Sequence, residues 1–226
     1  MTPPSEHDCV VAPNIASYSH ELPLGELAGL LCDMTTQPGD VSPAWCLHLI
    51  SEFNAADGRA IAVTKSLTRP ELNWKPSPDK WSVGQCLEHL CVANEVYCRA
   101  ISNSLVEHPV EVVQEITPGW LGRWFIRNYI EPSSRTKRRR APKKITPGPQ
   151  VELSVLDRFL ASNRRARELV HRTRNYDVNR IRFRNPFVPV IYFTVGTGLE
   201  ILSKHELRHL LQAEGVRDSL KREHGS

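Results

Sequence analysis

Apolar residues recur at every third or fourth position in four stretches of the chain, which is the spacing of helices with one buried face. The first predicted helix runs from Ser42 to about Leu67, the second from Ser82 to about Glu107, and the third from Val151 to Thr173. The fourth covers about Phe193 to Ala213. No stretch alternates well enough to predict a sheet, so the pattern indicates an all-α bundle.

Residues that commonly begin or end helices support these bounds. Ser42 precedes Pro43, which is the arrangement of an N-cap followed by proline at the first helical position. Ser82 and Gln85 have the spacing of a capping box at the start of the second helix. Gly215 is a natural terminator for the fourth helix.

The rest of the chain forms the predicted connections and one extension. The segment 69–79 contains three prolines, which predicts that the first helix ends before it. Residues 109–149 form a long crossover between the second and third helices, and its apolar patch Trp120–Ile130 is interpreted as helical. Residues 1–41 are rich in Pro, Ser, Thr and Asp and are interpreted as a partly ordered extension, which leaves 42–220 as the bundle domain.

The composition is that of an ordinary globular protein, with 40% apolar and 24% charged residues. No apolar run approaches the roughly 20 residues that cross a bilayer, so no membrane association is expected. The first basic residue is Arg59, which argues against a secretory signal and against an Arg-rich transit peptide. A cytoplasmic location is therefore the expectation.

Charge is distributed unevenly along the chain. Residues 1–113 carry a net charge of −8 and residues 114–226 carry +12, with the densest basic run at Arg135–Lys144. Such polarity can attract anionic ligands without identifying them. Nucleic-acid binding by the basic run is an alternative function, but no aromatic residues interleave with the basic ones, and a solvated loop is the favoured interpretation.

The six cysteines form no C-x-x-C pair, and a disulfide framework is not expected in a chain of this size without a secretory signal. Three of them fall on the second predicted helix, where buried thiols usually behave as small apolar side chains. A reactive Cys86 is the alternative interpretation.

The strongest local signal for chemistry is His205-Glu-Leu-Arg-His209. Histidines four residues apart lie on one face of a helix, so both imidazoles can reach one metal ion. The segment also matches the HExxH pattern of zinc proteases, with Glu206 as the general base, but no sheet edge is predicted on which an extended substrate could bind. Glu206 lies about 100° around the helix from His205 and is interpreted as solvated.

His89 is the candidate for a third ligand, because it lies on the capped second helix beside the apolar stripe. Helix bundles build metal sites from side chains on facing helices, which these three histidines would supply. Gln212, three residues past His209, could hydrogen-bond a ligand histidine from behind.

Several segments together resemble the DinB-like family of helical bundles. Trp74-Lys-Pro76, Lys80-Trp-Ser82 and His89-Leu90 are similar to the start of that family's second helix. The H-x-x-x-H-x-x-Q pattern from His205 to Gln212 is similar to its last helix, and Ala141–Pro147 is similar to the connection before its third helix. The likeness covers about residues 43 to 218.

The resemblance implies an antiparallel four-helix bundle with an up-up-down-down course. It also implies a site at which His89, His205 and His209 hold one divalent metal ion, with zinc or nickel as the first candidates. Better-understood relatives are transferases and isomerases that use small bacterial thiols such as bacillithiol or mycothiol, and related bundles often form dimers. The residues themselves name no substrate and leave the catalytic residues unassigned.

Transfer of a small thiol to an electrophilic small molecule is therefore the favoured functional hypothesis. Three neutral imidazoles leave coordination positions open, which is the catalytic rather than the structural pattern. Metal-dependent hydrolysis is the neighbouring alternative. A metal-binding bundle without catalysis, serving in stress or in protein interaction, is a third hypothesis that the sequence does not separate from an enzyme.

Overall fold

The computed structural model describes residues 42–105, 111–131 and 142–224. The interpreted extension 1–41 and most of the basic run lie outside these residues. The four long helices are α1 (Ala44–Thr64), α3 (Val83–Ser104), α5 (Val155–Thr173) and α6 (Val195–His224). Two short helices lie between them, α2 (Arg69–Asn73) and α4 (Trp120–Phe125), and α4 continues into a π-helical turn at Ile126–Ile130. The all-α prediction is confirmed, and no helix of the described residues is long and apolar enough to cross a membrane.

The start of α3 follows the capping signal in the sequence. The Ser82 hydroxyl accepts a hydrogen bond from the Gln85 amide at 3.1 Å, and the Gln85 side chain accepts one from the Ser82 amide at 3.2 Å. These bonds satisfy two backbone donors that a helix start leaves without partners. At α1 the predicted cap is wrong, because Pro43 is the N-cap and Ser42 does not cap the helix.

The helix α2 lies in the segment that its prolines excluded from the first helix. Thr68 and Glu71 form a second capping box, and Pro70 lies in the first turn of the helix, where its missing N–H would have had no partner in any case. The helix α1 has already ended at Thr64, and Pro70 is compatible with the start of a new helix.

The last helix runs eleven residues past the predicted end at Ala213, so Gly215 does not terminate it. Ala213, Val216 and Leu220 are buried on one face of this extension. Arg217 adds hydrogen bonds to the Val63 and Lys65 carbonyls at the end of α1. A glycine inside a helix costs about 1 kcal/mol relative to alanine, which packing of this kind outweighs.

Two short strands, which the sequence pattern did not predict, form an antiparallel hairpin before α6. The strands β1 (Arg182–Arg184) and β2 (Tyr192–Thr194) pair so that Phe183 faces Phe193, and both rings are buried. Strands of three residues are too short to show a periodic alternation, which is why they escape pattern analysis. Gly198 of α6 leaves room for Phe183, whose ring would lie within 3 Å of a Cβ at that position.

The directions of the helices follow from the contacts between them. Along α1, Glu52 and Arg59 contact Ser203 and Glu214 in the same order along α6, so these two helices run parallel. Along α1 and α5 the order is reversed, and the two helices run antiparallel. The contacts that show this are Cys46 with Val170 and Asp57 with Asn163.

The same argument places α3 antiparallel to α6 and parallel to α5. Along α3 and α6 the order of the contacts is reversed, because Asn94 contacts Glu206 and the later residue Ile101 lies beside the earlier residue Gly198. Along α3 and α5 the order is the same, because Cys91 and Asn94 contact successively later residues of α5. The course is therefore up-down-down-up, and the expected up-up-down-down course is wrong. Because α3 and α5 are parallel neighbours, the chain must return over the full length of the bundle between them, and the predicted crossover at this place is confirmed.

A polar layer divides the hydrophobic core into two clusters. Each long helix contributes to it, and its members are Asp57 from α1, Asn94 from α3, Asn163 from α5 and Glu206 from α6. The Asn94 amide donates to Glu206 Oε1 at 2.6 Å and to Asn163 Oδ1 at 3.1 Å. Asn163 in turn donates to Asp57 at 2.9 Å, which also accepts from Arg167 at 2.7 Å.

The interpretation of Glu206 as a solvated residue is wrong, since its side chain is fully buried in this layer. Burial raises the pKa of Glu206 to about 8, although the hydrogen bond from Asn94 acts in the opposite direction. Among the described residues the carboxyl makes no ion pair, so its neutral, protonated form is the one that this environment favours near pH 6.

The raised pKa of Glu206 predicts a pH-dependent contribution to stability. Between its ordinary pKa of 4.5 and its folded pKa of about 8, the folded chain holds a proton that the unfolded chain has released. This contribution is full below 4.5 and is lost as the pH rises toward 8. The Glu206→Gln side chain keeps the shape of the glutamate side chain and stays neutral at every pH. The free energy of unfolding of this variant should therefore increase relative to that of the wild type as the pH rises over this range.

The measurement is denaturant unfolding of both proteins between about pH 5 and pH 8. Glu168→Gln, which removes an exposed acid from α5, is the matched control for the loss of one carboxyl group. A constant difference between Glu206→Gln and the wild type would contradict the assignment of a protonated Glu206.

Candidate metal centre

The three predicted histidines meet between α3 and α6. His89 lies two turns into α3, so the capping box at Ser82 sets its height along the bundle. His205 and His209 lie one turn apart on α6, which runs antiparallel to α3 and packs against it. The hydrogen bond between Asn94 and Glu206 joins the same two helices about one turn away and holds their relative register.

One ring nitrogen from each histidine lies within 4.8 Å of the other two. The Nε2 atoms of His89 and His205 are 3.2 Å apart, and the centroids of the three rings are separated by 4.5 to 5.0 Å. Two nitrogens that ligate one tetrahedral zinc ion at about 2.05 Å are separated by roughly 3.3 Å. The spacing of His89 and His205 therefore suits a shared ion, and the cluster could hold one.

Hydrogen bonds behind two of the rings set which nitrogen carries the proton. His89 Nδ1 lies 2.7 Å from the carbonyl of Ile145, which can only accept, so the proton is on Nδ1 and the lone pair of Nε2 faces the other histidines. His209 Nδ1 lies 3.1 Å from Gln212 Oε1, which favours the same tautomer. Ile145 belongs to a 3₁₀ turn at Lys143–Ile145, so the long crossover contributes to the site.

All three imidazoles are held in the neutral form that binds metals. Burial lowers the pKa of His89. It also lowers the pKa values of His205 and His209 well below the ordinary range, and the neighbouring histidines and the charge of Arg208 act in the same direction. Neutral imidazoles need not lose a proton before they coordinate a cation.

A cavity of about 380 Å³ opens directly beside the histidines, a volume within the range of small-molecule sites. Besides the histidines, its wall is mainly aromatic and aliphatic, and Asn185 and Arg208 add polar groups. The aromatic residues in the wall are Trp81, Tyr97, Phe125, Tyr129 and Phe187. None of the lining residues in the described ranges 42–105, 111–131 and 142–224 is acidic.

Sequence analysis did not identify most of this wall, although some of it carried a readable signal. Arg208 follows His205 by three residues and therefore shares its helix face, which the spacing alone would have shown. Trp81, one residue before the cap of α3, stacks against His209 with ring centroids 5.6 Å apart. Asn185 and Phe187 come from the hairpin that the pattern did not predict, and nothing local marks them.

The residues present fit a divalent ion with open coordination positions. Among the described residues, no cysteine, aspartate or glutamate joins the three histidines in a ligand cluster. Structural zinc sites are usually closed by four protein ligands, whereas catalytic sites have three and leave a position for substrate. Here that open side faces the cavity.

The described residues form an all-α bundle in which three convergent histidines that could hold a metal ion lie beside a cavity. Residues 52–213 match the family model of the DinB superfamily, and the chain belongs to this superfamily. It is also similar to the uncharacterized protein YuaE of Bacillus subtilis (strain 168), with 21% identity over 183 residues that cover 76% of this chain and 99% of that protein. No solved structure matches the chain.

If the histidines bind metal, elemental analysis after loading with zinc or nickel should find about one ion per chain. The double variant His89→Ala/His205→Ala removes two of the three ligands and should retain none after desalting. The control is His48→Ala/His171→Ala, which removes two exposed histidines and should keep the ion. Equal metal content in the two double variants would contradict a site at the three histidines.

The bond from Gln212 to His209 predicts a weaker effect on the same property. Gln212→Ala frees His209 Nδ1 from its partner, so the ring is less well oriented and metal affinity should fall about tenfold. Competition with a chromogenic chelator measures this change, and Gln150→Ala, which removes an exposed glutamine of the crossover, is the control. An unchanged affinity would show that Gln212 only packs against the end of the site.

Proposed function

We propose that this protein is a divalent-metal-dependent enzyme of the DinB superfamily that transfers a small thiol to an electrophilic small molecule. The observation that carries the proposal is the convergence of three neutral imidazoles at the edge of a cavity of about 380 Å³. The choice of thiol transfer among metal-dependent reactions rests on the likeness to thiol-dependent members of the family.

In the proposed enzyme the residues of the site would have separate roles. His89, His205 and His209 would hold the ion, while the Ile145 carbonyl and Gln212 orient two of the rings. A bound divalent ion supplies charge that lowers the pKa of a coordinating thiol, so that it is deprotonated at neutral pH. Zinc and nickel are the proposed ions, because imidazole suits both.

The thiol must come from outside the protein, as far as the described residues go. Burial raises the pKa values of Cys86, Cys91 and Cys98 to about 12, and it also raises that of Cys46. Such thiols stay protonated at neutral pH and are poor nucleophiles. None of the four lines the cavity, so the alternative of a reactive Cys86 gains no support.

In the proposed reaction, the thiol sulfur attacks the electrophilic carbon of a second substrate in the cavity. A carbon–sulfur bond forms and the bond to the leaving group breaks, with its electron pair departing on that group, while the thiol proton passes to solvent. The apolar wall would position the electrophile and keep bulk water from competing for it. We propose the cytoplasm as the location, since small thiols are kept reduced there.

A bundle that binds metal without catalysis remains the rival hypothesis. The open position of the proposed site and the cavity beside it favour an enzyme, because a purely structural ion needs neither. The two hypotheses differ in what they predict for thiol consumption by the loaded protein.

The zinc- or nickel-loaded wild type should accelerate conjugation of a small thiol with a reactive aryl or alkyl halide, followed as loss of free thiol and as product mass. His205→Ala should lose at least about a hundredfold of the rate, because charge stabilisation by a metal ion contributes several kcal/mol. His171→Ala, which removes an exposed histidine, should retain full activity.

The assay is run with several small thiols, including cysteine-containing and sugar-linked ones. Equal rates for the wild type and His205→Ala with every thiol would contradict the transferase proposal. If the wild type still held one ion per chain in that case, the non-catalytic hypothesis would replace it.

A further inference from the structure

Arg208 is a half-buried cation in the wall of the cavity. It lies on α6 three residues after His205, whose helix face it shares, and it lines the cavity together with His205 and His209. Its Nη1 donates to the carbonyl of Tyr129 at 2.6 Å. This bond orients the guanidinium and uses one of its five N–H donors.

No acidic side chain pairs with Arg208 among the described residues, in contrast to several arginines elsewhere in the bundle. Arg59, Arg158 and Arg167 each bind a carboxylate at 2.7 Å. The chain between Ile130 and Pro142, both of which line the cavity, contains one acidic residue, Glu131, whose carboxylate lies 4.0 Å from Lys204.

Among the residues that the structure describes, no acidic side chain therefore balances the positive charge of this region. Burial lowers the pKa of Arg208, and its charge also lowers the pKa values of all three histidines. A divalent ion at the histidines would add further positive charge to a wall whose described residues include no carboxylate. An anion that enters the cavity would offset this cost and could accept two parallel hydrogen bonds from the guanidinium.

The remaining surface limits what that anion can be. Trp81, Phe125, Tyr129 and Phe187 form broad aromatic walls, and Ile201 and Leu202 complete them. A small hydrated anion would leave this apolar surface in contact with water. A molecule with an apolar body and one anionic end satisfies both parts of the cavity.

We propose that Arg208 is a binding and specificity residue, and that the cavity takes a small molecule with an apolar body and a carboxylate that pairs with the Arg208 guanidinium. As a statement about the substrate class this rests on the proposed function, whereas the binding itself requires no metal. A carboxylate can belong to the thiol or to the electrophile, and both share the chemistry that Arg208 recognises.

The test compares pairs of ligands that differ in charge and have nearly the same shape. The probes are 3-phenylpropionate and its neutral amide, together with the same pairs on shorter and longer aryl and alkyl chains, and binding is measured by titration calorimetry. Wild type should prefer the acid of the best pair by about tenfold or more, which corresponds to about 1.4 kcal/mol. Arg208→Met should bind acid and amide equally within about twofold.

Two further variants separate recognition from folding. Arg208→Lys keeps the charge without the planar fork and should retain part of the preference. Arg172→Met removes an exposed arginine from the end of α5 and should keep all of it. If Arg208 only supports the Tyr129 carbonyl, Arg208→Met would weaken acid and amide alike, and the preserved ratio would overturn the proposal.

Each titration is done on metal-loaded protein and on protein treated with a chelator, with metal content measured in the same samples. A preference for acids that persists after chelation and is lost in Arg208→Met supports the proposal. If the same samples bind no metal, only the proposed function fails. A preference that appears only with metal and survives Arg208→Met would overturn it, because the ion would then hold the carboxylate. Bound metal with no preference in any ligand pair would also overturn it and leave the proposed function standing.

Discussion

The hydrogen bond between Asn94 and Glu206 joins the two helices that carry the histidines, at a point where both side chains are fully buried. Its length of 2.6 Å leaves little freedom for α3 to slide against α6. A slide of one turn, about 5.4 Å, would separate His89 from His205 and His209. Because a buried polar group that loses its partner costs about 1 to 3 kcal/mol, the layer penalises every register except the one in which the three rings meet.

The same polar layer explains how the three histidines of the site can remain uncharged. Glu206 is adjacent to His205 in sequence, yet its carboxyl turns away into the core and is favoured in its protonated form. The Glu206 carboxyl therefore does not compete with the imidazoles for a metal ion. Burial lowers the pKa values of His205 and His209, and the part of the cavity wall that the structure describes has no acid to raise them. The side of the site that faces the cavity is apolar except for a few groups, and among the described lining residues Arg208 alone carries a permanent charge. Chemistry that needs an anionic or thiol-containing partner suits this arrangement.

Some features of the fold were readable from neighbouring residues, and others were not. The capping box at Ser82 was predicted correctly because its two partners lie three residues apart and interact within one turn. The end of α6 was predicted wrongly because Gly215 is a local signal for termination, while the packing of Val216 and Leu220 depends on helices far away in the chain. The up-down-down-up course could not be read from helix spans, since amphipathic helices of these lengths pack equally well in either direction.

The sequence by itself determined which side chains can share a helix face, since this depends only on the 3.6-residue period. It thereby identified His205 and His209 as a pair, and the position of His89 on the capped second helix beside the apolar stripe made it the third candidate, which the family resemblance then supported. The tertiary structure alone decided that Glu206 is buried, that the crossover supplies the Ile145 carbonyl, and that Arg208 faces a cavity with no acidic partner in the described part of the chain. Burial and electrostatic environment depend on contacts between residues more than a hundred positions apart, and no local pattern records them.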